Sequence, residues 1–175
     1  MNYSTIASPI GNLLFTWEDD ALTGVYMESH KGGPTPTEQW RRDDTGMAAV
    51  REQLAAYFAG SRQRFALPLL LRGTEFQRRV WDALLAIPFG TITTYAEIAQ
   101  GIGATKAVRA VGTAVGRNPI SIIVPCHRVI GSNGSLTGYA GGLDRKRWLL
   151  GHEQAPITTS SHKTHRHLAG TLISH

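Results

Sequence analysis

The chain has 175 residues, 42% of them hydrophobic and 18% charged, which is enough apolar material for one domain or two small ones with a packed core. Its single cysteine excludes an internal disulfide and a multi-cysteine metal site, and no apolar run approaches the ~20 residues of a membrane-spanning helix. The net charge of +5 is uneven: residues 1–71 carry −2, residues 72–153 carry +5 and residues 154–175 add +2. The basic excess therefore suggests a polyanionic partner for the second half. The N-terminus lacks the basic start and apolar core of a signal peptide, and a free thiol without an export signal points to the reducing cytoplasm.

Residues 3–7 and 12–17 read as two short strands across Ser8-Pro9-Ile10-Gly11, with Leu13, Phe15 and Trp17 alternating at period two. After Glu18-Asp19-Asp20 a third strand runs from Ala21 to Met27, completing an antiparallel meander. Residues 29–45 are polar and rich in Pro and Gly, and read as a loop. From Gly46 to Ala59, Met47, Val50, Leu54, Tyr57 and Phe58 fall at helical spacing, and Gly60 ends the helix. Residues 63–71 form an extended segment that Pro68 confines to an edge or a linker. This half shows no catalytic constellation and reads as structural support.

At Arg72-Gly73 the character changes. Thr74 with Gln77 is a capping box opening a helix to about Ile87, with Phe76, Val80, Trp81, Leu84 and Leu85 on one face. Thr94 with Glu97 opens a short helix over Tyr95 to Gln100. Thr105 can cap a third, from Lys106 to about Gly116. Two short helices joined by a glycine-containing turn form a helix-turn-helix pattern. The second is rich in Ala and Gly, so its backbone can approach another surface closely. Asp144 can cap a last helix through Trp148 and Leu150 to His152-Glu153. Residues 154–175 lose periodicity and read as a polar tail bearing His162, His165, His167 and His175.

The lone cysteine, Cys126, sits in Pro125-Cys126-His127-Arg128-Val129 after a β-branched run. Pro125 removes a backbone donor and fixes φ just before the thiol. His127 and Arg128 place a titratable base and a fixed positive charge beside it, the setting that lowers a thiol's pKa. The residue types alone leave open a buried cysteine that serves as a small hydrophobe.

Asn118-Pro119, the Pro-Cys-His-Arg-Val run, Gly138-Tyr139-Ala140-Gly141-Gly142, Trp148-Leu149-Leu150 and His152-Glu153 occur in an order and at a spacing that resemble the O6-alkylguanine-DNA alkyltransferase family. The likeness is strong over residues 73–153 and looser before them. It implies an α+β protein. A small N-terminal antiparallel-sheet-plus-helix domain, residues 1–71, precedes a mostly helical, winged helix-turn-helix-like DNA-binding domain, residues 73–153. The implied activity is direct, single-turnover transfer of the alkyl group from O6-alkylguanine, and from O4-alkylthymine, in DNA onto Cys126.

By that resemblance Cys126 is the nucleophile, His127 its base through a water, and Glu153 the carboxylate that orients the histidine. Asn118 supports the local geometry, and Tyr95 donates a proton toward the base. Arg109 fills the stack position vacated by a flipped nucleotide. Tyr95, Thr105, Ala107, Ala110 and Gly112 are the other implied DNA-facing residues, and Val115, Pro125, Val129, Tyr139, Ala140 and Gly141 the implied substrate pocket. The implied partner is double-stranded DNA, bound in the minor groove with little sequence preference. No cofactor, no metal and no membrane are expected, and the protein is expected to be a monomer, with cooperative assembly along DNA left open. Two other readings remain at this point. A thiol hydrolase using Cys126, His127 and Glu153 would turn over, and a non-enzymatic damage sensor would bind without reacting.

Overall fold

The computed structural model describes residues 1–157, so His162, His165, His167 and His175 of the expected tail lie outside the described residues. Strands β1 (Asn2–Ile6), β2 (Leu13–Glu18) and β3 (Ala21–Met27) form the expected meander. Both hairpin residues between β2 and β3, Asp19 and Asp20, have positive φ. A tight two-residue turn matching the strand twist requires that geometry, and Asp tolerates it. Leu13, Phe15 and Trp17 of β2 and Leu22, Val25 and Met27 of β3 are buried.

The segment 29–45, expected to be loop, contains a short strand β4 (Arg41–Arg42) running parallel to β1. Two exposed arginines carry no alternating pattern, which is why the sequence concealed it. The sheet order is β3-β2-β1-β4.

The outer edge of β3 is covered by chain from elsewhere. Leu22 donates to Pro68 O at 2.8 Å and accepts from Leu70 N at 2.8 Å. Val25 donates to Pro119 O at 2.9 Å and accepts from Ser121 N at 3.1 Å. Backbone groups that would invite a foreign strand are thereby paired, and the segment leading to Cys126 is fastened to the N-terminal sheet.

Helix α1 (Ala48–Phe58) buries Val50, Leu54 and Tyr57. It ends in a Schellman motif, with Ser61 N to Ala56 O and Gly60 N to Tyr57 O, and Gly60 supplies the left-handed residue.

In the second half both capping boxes form, opening α2 (Glu75–Leu85) and α3 (Tyr95–Gly101). Helix α4 (Val108–Gly116) begins later than expected. Ala107 is its N-cap residue and no side chain caps it, so Thr105 does not have the capping role read from sequence. Asp144 likewise falls in the exposed first turn of α5 (Leu143–His152), whose N-cap is Gly142 at φ 92°. Leu85, expected on the apolar face of α2, is 43% exposed. Trp81 Nε1 donates to Ala114 O at 2.9 Å and locks α4 onto α2. Strands β5 (Thr93–Thr94) and β6 (Val129–Ile130) pair in parallel, tying the start of α3 to the segment after Cys126. A single hydrophobic core runs through both halves.

Candidate active site

The approach to Cys126 is a series of tight turns held by one side chain. Asn118 Nδ2 donates to Val124 O at 2.8 Å, and its Oδ1 accepts from Ile120 N at 2.9 Å, so a single buried amide pins both ends of the loop. Ile122 has φ 73°, a left-handed conformation that costs a β-branched residue on the order of 1–3 kcal/mol. Pairing of Ser121 with Val25 and burial of Ile122 hold it there. Pro125 has φ −82° and ψ 62°, and Cys126 N donates to Val124 O at 2.8 Å. This is an inverse γ-turn, and the proline ring presets its φ. Cys126 then opens a 3-10 turn, Cys126–Arg128.

His127 and Glu153 meet at the centre of the protein. His127 Nε2 lies 2.8 Å from Glu153 Oε2, and both side chains are fully buried. A carboxylate can only accept, so Nε2 carries the proton and Nδ1 holds the free lone pair. His127 Nδ1 is buried without a protein partner among the described residues. Arg128 Nε donates to Glu153 Oε1 at 2.7 Å and its Nη2 to Oε2 at 3.0 Å, a bidentate clamp, while Nη1 donates to Ile87 O at 2.6 Å. Tyr57 Oη donates to Glu153 Oε2 at 2.6 Å. Burial alone would raise Glu153, but the hydrogen bonds from His127 and Arg128 outweigh it and hold the carboxyl well below its usual range.

The electrostatics around the sulfur differ from those read in the sequence. Arg128 faces Glu153, and the cation that acts on the thiol is Lys146 of α5. Lys146 is wholly buried, and its Nζ donates to Val129 O at 2.6 Å and Thr137 O at 3.0 Å. Burial lowers its pKa to about 8, with Cys126 opposing. The expected depression of the thiol is not found. Burial pushes Cys126 up, and the hydrogen bond to Asn118 and the charge of Lys146 only partly offset it. Burial also pushes His127 down despite Glu153. The resting pair is therefore a neutral thiol and a neutral imidazole.

Cys126 opens into a cavity of about 10 Å³ lined also by Val115, Tyr139 and Ala140, three of the six expected pocket residues. The other three stand elsewhere. Pro125 lines a separate cavity of about 340 Å³. Val129 is fully buried, its carbonyl engaged by Lys146. Gly141 is packed against Met27. His30, Gly116, Asn118, Ser121 and Gly138 line the small cavity instead. Tyr95 Oη donates to Thr137 O at 3.2 Å, in the loop that walls the site. Of the expected DNA-facing residues, Arg109, Thr105 and Ala110 are exposed, and Ala107 and Gly112 are half-buried.

Comparison with known proteins shows the family to which this chain is similar. The family description "6-O-methylguanine DNA methyltransferase, ribonuclease-like domain" matches residues 1–71, and its "DNA binding domain" matches residues 75–155. The methylated-DNA–protein-cysteine methyltransferase of Mycolicibacterium paratuberculosis is 52% identical over 154 residues, covering 88% of this chain and 93% of the relative. That of Methanosarcina acetivorans is 50% identical over 151 residues, covering 86% and 96%. The structure of Mycobacterium tuberculosis OGT in complex with DNA superposes with a TM-score of 0.83 at 51% identity, covering 89% of this chain and 96% of that one. This chain belongs to the 6-O-methylguanine DNA methyltransferase family.

Within this methyltransferase the sequence reading overlooked three residues. Tyr57 sat at an apolar helical position, although a buried tyrosine hydroxyl needs a partner. Lys146 precedes Leu149 and Leu150 by three and four positions, which puts it on the buried face of its helix. His30 came from a segment read as loop and carried no signal.

Proposed function

We propose that Cys126 takes the alkyl group from O6 of guanine in double-stranded DNA, once per protein molecule. The observation that carries this reading is the Cys126 thiol at a buried cavity, beside a His127 whose Nε2 is held by Glu153 and whose Nδ1 is free to accept a proton. The thiol proton passes to Nδ1 through a water, and Glu153 stabilises the imidazolium that forms. The sulfur attacks the alkyl carbon, an S–C bond forms, the C–O6 bond breaks and its electron pair stays on the base. Tyr95 supplies a proton to that base. The thioether product does not hydrolyse, so the protein acts once. O4-alkylthymine fits the same chemistry.

The neutral resting pair suits this role. Charge separation inside a buried site is costly, so the thiolate forms only when a substrate is positioned to consume it. An alkylated O6 inside a duplex is out of reach of a side chain, so the nucleotide has to be flipped out. Helix α4 suits the approach to DNA, with exposed Arg109 and Arg117 among small residues. The minor groove is about 6 Å wide, and bulky side chains would hold the helix away from it. Binding then rests mainly on phosphates, with strong salt dependence and little sequence preference.

The test is to mix the protein with a duplex carrying one O6-methylguanine and measure intact and peptide mass. One methyl group on the Cys126 peptide, saturating at one per protein, is the expected result. Tight lesion binding with Cys126 unmodified would overturn the reading in favour of a sensor.

A further inference from the structure

The cavity beside Cys126 has one wall from the N-terminal half. His30, just past β3, lines it together with Cys126, Tyr139 and Ala140. Its placement is built in several ways. His30 N donates to Met27 O at 3.1 Å, its carbonyl accepts from Gly33 N at 3.0 Å, and its ring meets Tyr26 edge-on at 5.4 Å. The next residue, Lys31, donates from its backbone to Ala140 O at 2.9 Å. The loop bearing His30 is thereby tied to the glycine-rich loop across the cavity. His30 Nδ1 and Tyr139 Oη are both buried without a protein partner among the described residues. Both residues line the cavity, and a buried polar atom without a protein partner is one that a water or a ligand can satisfy.

We propose that His30 is a specificity-determining residue of the alkyl pocket, its ring taking up room that a large O6 substituent would need. This rests on the assignment of alkyl transfer to Cys126. A cavity of about 10 Å³ holds at most a single water, so the space around the thiol is set by how far its walls yield. The Asn118–Cys126 wall is fixed by core packing and the Asn118 hydrogen bonds. The His30 wall is a half-buried residue on the short loop after β3. Burial, with Arg145 nearby, holds the imidazole below its usual pKa, so a neutral ring faces the alkyl group.

The experiment measures rates of Cys126 alkylation by mass, using O6-methylguanine and O6-benzylguanine in the same duplex. Wild type, His30→Ala and His30→Phe are compared. His30→Ala should raise the benzyl-to-methyl rate ratio about tenfold or more, the range that pocket size commonly commands. His30→Phe keeps the bulk and should keep the wild-type ratio. An unchanged ratio in His30→Ala, or a rise in His30→Phe equal to that in His30→Ala, would overturn the proposal. A wild type that leaves both duplexes unreacted would instead sink the assignment to Cys126, so the two failures read differently.

Discussion

Tyr57 of the N-terminal half donates a 2.6 Å hydrogen bond to Glu153, the buried carboxylate that holds His127. Glu153 is the C-cap residue of α5, where the helix dipole disfavours a negative charge. Three donors converge on its Oε2, from Tyr57, His127 and Arg128. Tyr57→Phe keeps the ring and removes one of them. Stability should fall by about 1.5–3 kcal/mol, the usual worth of a hydrogen bond to a charged group, and alkyl transfer should slow. Thermal denaturation and single-turnover kinetics check this. Wild-type values for both would show that the carboxylate does not depend on the N-terminal half.

Stability should fall in two stages as pH drops. Folded His127 is held neutral by burial, although Glu153 opposes this. Below about pH 6.5 an unfolded histidine takes a proton that the folded one refuses. The unfolded state then binds more protons, so stability declines. His30, also lowered by burial, adds in the same direction. Glu153 is held well below the usual carboxylate range, so its contribution is full above about pH 4.3 and is lost as pH falls toward its folded value. Melting temperature against pH should show both stages, and His127→Asn should flatten the upper one. A constant melting temperature between about pH 7 and pH 5 would contradict the sign derived for His127.

Lys146→Met removes the buried cation that draws the Cys126 thiol downward. The thiol should titrate at higher pH than in the wild type, as followed by ultraviolet absorbance of the thiolate, and transfer at neutral pH should slow. The carbonyls of Val129 and Thr137 lose their shared donor, so a stability loss of about 1–3 kcal/mol should accompany the shift. An unmoved titration curve would assign Lys146 a purely structural role.

Arg109→Ala should separate nucleotide flipping from chemistry. Arg109 is exposed on α4, away from the thiol cavity. Transfer from O6-methylguanine in a duplex should slow by about tenfold or more, since unstacking costs a few kcal/mol. Transfer from the free base O6-benzylguanine, which needs no flipping, should be unchanged. Equal losses on both substrates would place Arg109 in the chemical step.

The elements most legible in the sequence were those with local chemical signatures. The Thr74–Gln77 and Thr94–Glu97 boxes opened helices as expected, and Leu13, Phe15 and Trp17 faced the core as their alternation required. Thr105 and Asp144 offered the same residue type without the reciprocal partner, and neither capped a helix. The arrangement of the site was harder to read because its contacts join distant positions. Nothing local tells Arg128 to turn toward Glu153, or Lys146 to serve as the cation for Cys126. The thiol differs from the expectation for the same reason: its neighbours in sequence are not its neighbours in space, and burial outweighs the nearby charge.

The covered edge of β3 bears on how the chain is made. Leu22 receives its partner from residues 68–70, but Val25 waits for Pro119 and Ser121, and Tyr57 waits 96 positions for Glu153. During synthesis, which runs from the N-terminus, the sheet therefore emerges with part of an edge strand bare and a tyrosine hydroxyl unmatched. Such long-range closures are slow to form, and an open edge invites pairing with another chain. The same segment that presents Cys126 thus closes the first domain, so a nascent chain remains vulnerable to aggregation until its reactive loop has been made.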